Sequence, residues 1–224
     1  MKTKKVSSAD IRATISQALA FRHGKAVKVN ETDHDDDRQL NELGKTQAAG
    51  LKRSLAGISF DLSLSSPLDR ARDTTSIATC TQPRLLPAFG VPKNPKHSLN
   101  VMFSALAYSP LLVDKPTKKA YGYFQHKLGR YLKKWARQAV DEVVGKIKKA
   151  KHGYPIRVAI GGHAVCQNAF IWALLERLGI KDEQMPKVVT HYNLGEAEGL
   201  SVVLHQGAGA VTVGFIAPAI AIKS

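Results

Sequence analysis

Three short apolar runs in this chain each end in a cluster of cationic, small or hydroxyl residues. Residues 18–21 lead into Arg22-His23-Gly24, residues 60–64 into Ser65-Ser66-Pro67 and then Arg70, and residues 157–160 into Gly161-Gly162-His163. Runs this short and this apolar read as buried strands rather than helices. Helical patterns follow them. Leu43, Ala48, Leu51 and Leu55 recur at helical spacing, with Asn41 as N-cap and Gly57 as stop. Residues 70–79 and 169–178 read as two further helices, and 8–15 as a short one at the start. Residues 84–88 suggest a third strand, and 200–204 and 211–216 two more, paired as a hairpin over 206–210. Strands alternating with helices predict an α/β three-layer sandwich with a mostly parallel central sheet.

With 224 residues, 44% of them hydrophobic, the chain reads as a single domain spanning 1–224 with an irregular and helical insertion at about 90–150. Residues 90–116 are rich in Pro, Asn and Ser. Residues 118–150 form a long amphipathic pattern, with a break expected near Gly145. Tyr121, Phe124, Leu128, Tyr131, Leu132, Trp135, Val143 and Ile147 lie on one stripe of it. Lys and Arg crowd its other face, which reads as solvated; a docking face for an acidic partner is the alternative.

A net charge of +15 and a pI near 9.9 draw anions to the surface. Nucleic acid, an acidic membrane and phosphorylated substrates all meet that condition. The chain has no helix-turn-helix, zinc-finger or RNP-like signature, which argues against nucleic acid. No stretch approaches eighteen apolar residues, so no membrane span is expected, and the apolar tail at 211–222 is interrupted by Gly214 and Pro218. The basic start is not followed by a signal-length apolar run. Cys80 and Cys166 lie in helical stretches outside any CxxC and read as reduced, partly buried thiols of a cytoplasmic protein.

Chemistry gathers at the strand ends. Open α/β sheets bind ligands at the carboxyl ends of their strands. Arg22, His23, Arg70 and His163 converging there would suit a dianionic phosphoryl group, since guanidinium forks match phosphate oxygens. Gly24 and Gly162 allow close backbone approach. A helix starting near Ala164 would aim free N–H groups at the anion. Ser65 and Ser66 lack a GxSxG elbow and read as the cap of the helix carrying Arg70. Residues 33–37 form an acidic run without the glycine and terminal Glu of an EF-hand. With no HExxH spacing either, no metal site is expected. His191 and Glu196 flank a turn and read equally as pocket lining or surface.

Taken together and in order, several pieces resemble the histidine phosphatase superfamily, the phosphoglycerate-mutase-like fold. They are Phe21-Arg22-His23-Gly24, Asp37-Arg38-Gln39-Leu40-Asn41-Glu42-Leu43-Gly44 with Gln47-Ala48, Ser65-Ser66-Pro67-Leu68-Asp69-Arg70-Ala71-Arg72-Asp73-Thr74, and Gly161-Gly162-His163-Ala164. The second piece most resembles the small SixA-like phosphohistidine phosphatases. The resemblance is close over 22–75 and loose over nearly all the chain. It implies a phosphatase acting on a phosphomonoester or phosphohistidine, on a small molecule or a phosphoprotein, without a cofactor. His23 would be the nucleophile, Arg22 and Arg70 the clamp, and His163 a further donor to the phosphoryl group. Asn30 would reach the phosphate from its loop. The Gly24 carbonyl would fix the imidazole tautomer, and water would then hydrolyse the phosphoenzyme.

The chain departs from the family in lacking any Asp or Glu between Asp73 and Asp114, so that the expected acid position falls at Val101 or Met102. A carboxylate from elsewhere (Glu31, Asp33, Asp36 or Asp114) would repair this. A phosphoramidate substrate would need little acid help. Otherwise the chain is a basic phosphate- or phosphoprotein-binding module without turnover. Phosphoglycerate mutase activity is disfavoured. Lys25, where many members carry Glu, and Lys28 read as ordinary exposed lysines.

Overall fold

The computed structural model describes residues 6–28, 31–32, 34–90, 124–125, 127, 129–150, 155–207 and 209–219. Strand β1 (Ile15–Arg22) lies inside the sheet, and its alternate side chains serve two different cores. Ala18 and Ala20 point into the larger core, Leu19 and Phe21 into the smaller, and all four are fully buried. A strand buried on both faces has no polar side, which is why the sequence reads as a continuous apolar run. Strands β2 (Leu62–Ser65), β3 (Arg84–Leu85), β4 (Ile156–Gly162), β5 (Gly199–Leu204) and β6 (Val211–Ile216) complete a sheet of order β3-β2-β4-β1-β5-β6. Pairings β3–β2, β2–β4 and β4–β1 are parallel; β1–β5 and β5–β6 are antiparallel.

Helices α2 (Glu42–Ser54) and α3 (Asp69–Thr79) cover one face through Leu51, Leu55 and Ala78. Helices α1 (Ser8–Thr14), α4 (Gly129–Lys149) and α5 (Ala164–Arg177) cover the other, where Leu132, Val140, Phe170 and Trp172 are buried. The short helix α6 (Lys187–Thr190) lies beyond α5. These three layers are the predicted α/β sandwich.

Several elements differ from expectation. Helix α4 runs unbroken through Gly145, because its apolar stripe of Leu132, Val140, Val143, Val144 and Ile147 is fully buried on both sides of that residue. Three of the basic residues of α4 are paired within the protein: Lys133 with Asp182, Arg137 with Glu176 and Lys148 with Asp10. Residues 91–123, with most of the expected insertion, lie outside the described residues. Cys80 is exposed rather than partly buried, since it caps the end of α3 in the left-handed conformation (φ 56°). Burial pushes the half-buried Cys166 thiol up to about 12. Among the described residues, no helix is long and apolar enough to cross a membrane.

One close backbone approach fixes the end of β1. Helix α2 begins at its N-cap Asn41, whose Oδ1 accepts from the Gly44 amide at 2.8 Å. A methyl group on Gly44 would land on the carbonyl of Lys25, and one on Gly24 would land on the carbonyl of Gly44. Gly44→Ala is therefore expected to destabilise the protein by about 1–3 kcal/mol, the usual range for overpacking. Gly145 has open space around it within α4, so Gly145→Ala should stabilise by about 0.5–1 kcal/mol. Urea midpoints measure both; equal shifts in the two variants would contradict the packing described.

Candidate active site

Parallel strands β1, β2 and β4 end side by side. The His23 amide donates to Gly162 O and the Ser66 amide to Gly161 O, both at 2.9 Å. The residues just past these ends are thereby brought together. The rings of His23 and His163 stand 5.3 Å apart in an edge-to-face arrangement. Arg70 enters from the first turn of α3, the helix after β2, and the charges of Arg22, Arg70 and Arg38 all act on His23. The structure thus brings Arg22, His23, Arg70 and His163 within electrostatic reach of one another at these strand ends. Asn30 lies outside the described residues.

Helix α3 also anchors the loop carrying His23. Thr74 Oγ1 accepts from the Gly24 amide at 3.0 Å and donates to Arg70 O at 2.7 Å. His23 Nδ1 lies 2.7 Å from Gly24 O. A carbonyl can only accept, so Nδ1 carries the hydrogen and Nε2 is left with its lone pair when the ring is neutral. Burial drives the His23 pKa down to about 3; the Gly24 hydrogen bond works against this, and the arginine charges reinforce it. His163 is likewise held well below the ordinary histidine range by burial, then by His23 and Arg70, with Asp35 pulling the other way.

Arg22 donates to Leu194 O at 3.0 Å. Burial works against its charge, while the carboxylates of Glu196 and Glu198 support it. Glu196 therefore belongs to the electrostatic surroundings of the pocket, and it also accepts from Gln47 at 3.1 Å. His191 lines a separate cavity with Phe124, Lys133, Trp172 and Asp182. The N-cap of α3 is Leu68, not Ser66; the Ser66 hydroxyl accepts from the Leu68 amide at 3.3 Å and also meets His163 Nε2 at 3.1 Å. Lys25 and Lys28 are exposed, as expected.

Two residues of the pocket went unnoticed in sequence. Asp35, in the turn Asp35–Asp37, accepts from Arg70 Nη2 through Oδ2 at 2.9 Å and from Arg38 Nη1 through Oδ1 at 2.8 Å. Arg38 also donates from Nε to Val27 O at 2.7 Å. The acidic run at 33–37 reads as solvated because nothing local marks one of its members as facing inward. The Asp37-Arg38 pair within the family-like element was the available signal for Arg38.

The acid limb of stability tests these assignments. In the folded protein His23 stays neutral down to about pH 3, whereas an unfolded histidine takes up a proton near the ordinary value of 6.5. The unfolded state therefore binds more protons between these values, and stability falls as pH drops through that window. Nitrogen-resolved NMR of labelled histidine should find His23 with hydrogen on Nδ1 and no titration between pH 8 and pH 5; a midpoint above 6 would refute this.

Residues 19–88 match the family model of the histidine phosphatase superfamily (branch 1). No curated protein sequence matches the chain significantly. Among solved structures, the chain is similar to phosphoserine phosphatase from Entamoeba histolytica in complex with 3-phosphoglyceric acid, with 19% identity, a TM-score of 0.56, and 89% of this chain and 95% of that one covered. It is similar to phosphoglycerate mutase from Bacillus anthracis, with 16% identity, a TM-score of 0.56, and 92% and 95% covered. A mycobacterial glucosyl-3-phosphoglycerate phosphatase complexed with VO3 gives 18% identity, a TM-score of 0.55, and 92% and 100% covered. At such identities these structures speak to the fold alone. The segment that holds Arg22, His23 and Arg70 is thus the one that resembles the histidine phosphatase superfamily (branch 1), and the sheet around it has the phosphoglycerate-mutase-like fold.

Proposed function

We propose that the protein is a phosphatase that transfers a phosphoryl group to His23 Nε2 and then to water. The observation carrying this reading is a neutral His23 whose Nδ1–H is committed to Gly24 O, beside His163 and among guanidinium groups. In the first step Nε2 forms a bond to phosphorus as the bond to the leaving group breaks. In the second, water attacks phosphorus, the P–N bond breaks, and inorganic phosphate leaves. Arg22 and Arg70 hold the non-bridging oxygens and His163 donates to one of them. Catalysis of this kind rests on positioning and charge stabilisation.

A phosphoramidate is the favoured substrate class, which is the chemistry of the SixA-like resemblance. No carboxylate lies between Asp73 and Asp114, where the family carries its proton donor. General acid help is worth about 10²–10⁴-fold in rate. An alkyl phosphate ester needs that help far more than a phosphohistidine, whose imidazole leaves readily. The names of the similar structures (a phosphoserine phosphatase, a glucosyl-3-phosphoglycerate phosphatase) support phosphate monoesters as the wider class. Binding without turnover is the competing reading, and the missing acid favours it. The internal pairing of Lys133, Arg137 and Lys148 favours a solvated α4 over a dock for an acidic partner.

Hydrolysis of a phosphohistidine peptide should exceed that of an alkyl phosphate monoester such as glycerol phosphate by about a hundredfold or more in kcat/KM. His23→Ala should abolish turnover of both. Arg70→Ala should lower kcat/KM by about a hundredfold or more, as expected on losing a charge-stabilising donor. Undiminished activity in His23→Ala would eliminate the mechanism. Vanadate binding with no turnover of either substrate would favour the binding module.

A further inference from the structure

The fork of Arg70 is already occupied by an anion from the protein itself. Arg70 Nη1 donates to Asp35 O at 2.5 Å and Nη2 to Asp35 Oδ2 at 2.9 Å. The far edge of the guanidinium, the end most able to meet a ligand, is thus spent on one residue. The Arg70 side chain is only 4% exposed, while that of Asp35 is half exposed. A phosphoryl group that takes this end of the fork must displace the carboxylate and the carbonyl already there.

Asp35 is nonetheless poorly built to stay. Its turn, Asp35–Asp37, contains no buried residue. Among the described contacts, its ties to the body of the protein run to Arg70 and to its sequence neighbour Arg38. Arg70 Nε is buried and has no hydrogen-bond partner among the described residues. An oxyanion taking Nη2 and Nε together would satisfy that orphan donor, which Asp35 does not. Asp35 also acts electrostatically on His163, so it lies within the field of the pocket. Burial raises the Asp35 carboxyl, but the Arg38 hydrogen bond and the charge of Arg70 outweigh this and hold it below its ordinary range. At neutral pH it is an anion, as a phosphorylated substrate is.

We propose that Asp35 is an internal anion that holds the Arg70 fork in the free protein and is exchanged for the phosphoryl group on binding. The inference rests on the reading that this pocket binds phosphoryl groups, and it assigns Asp35 a role in setting affinity. Without it, a pocket with Arg22, Arg38 and Arg70 around two neutral imidazoles would hold inorganic phosphate tightly and release product slowly. With it, the outgoing phosphate is displaced by a group tethered a few residues from Arg38. Substrate must break a charge-assisted contact to enter, so affinity is lowered for every anion that uses Arg70.

Calorimetric titration of the full chain with inorganic phosphate and with orthovanadate tests the exchange. Asp35→Asn should bind both more tightly, by about tenfold, since a neutral amide holds the Arg70 fork less strongly than the carboxylate does. Steady-state inhibition by phosphate should strengthen by the same factor. Unchanged or weaker binding would overturn the proposal and make Asp35 a scaffold for Arg70. A structure of the wild-type protein with vanadate gives an answer that does not depend on the variant folding. Asp35 Oδ2 should have left Arg70 Nη2, and its retention beside a bound vanadate overturns the exchange. Wild-type protein that binds neither anion removes the phosphoryl reading and this inference with it, whereas anion binding that Asp35→Asn leaves unimproved removes this inference alone.

Discussion

The hydrogen bond from His23 Nδ1 to the Gly24 carbonyl is the contact on which the site depends. It decides which ring nitrogen keeps its lone pair, and it works only while the Gly24 peptide stays fixed. That peptide is held from two sides. Thr74 accepts its amide from α3, and Gly44 at the start of α2 packs directly on the backbone beside it. The two helices covering the smaller core are therefore also the mounts of the imidazole. Stability and chemistry share those few atoms, and a change at Gly44 reaches His23 without touching it.

Electrostatics in the pocket are balanced rather than uniformly positive. Burial and neighbouring guanidinium groups keep His23 neutral, and the same causes keep His163 neutral. Carboxylates answer the arginines one by one: Glu196 and Glu198 near Arg22, and Asp35 between Arg38 and Arg70. In a chain of net charge +15 these acids are few, and their placement beside the buried cations reduces the cost of keeping arginines away from water. On the proposed reading, a phosphoryl dianion would meet arginines that already have carboxylates beside them, and its binding would be an exchange of anions.

Much of this was legible in the sequence. The apolar runs at β1 and β4 are buried on both faces of a sheet, and such strands announce themselves by lacking a polar side. The Asn41 N-cap was readable because its geometry is local to four residues. Longer-range relations were not. Ser66 reads as a helix cap from its position, yet its hydroxyl meets His163, which lies 97 residues away in sequence. Gly145 reads as a break because intrinsic propensity disfavours it, but the buried stripe on either side carries α4 through. Asp35 sits in a run of acids that differ only in which way the turn points them, and that direction is set by Arg70, 35 residues on.

Trapping the reaction intermediate tests the central claim most directly. Protein mixed with radiolabelled phosphorylated substrate, quenched in alkali within one turnover and mapped by peptide mass spectrometry, should carry phosphate on the peptide containing His23. The label should withstand base and be lost in acid, as a phosphorus–nitrogen bond requires. A base-stable phosphoryl group on any other residue, or turnover in which no phosphoenzyme forms, would contradict the account.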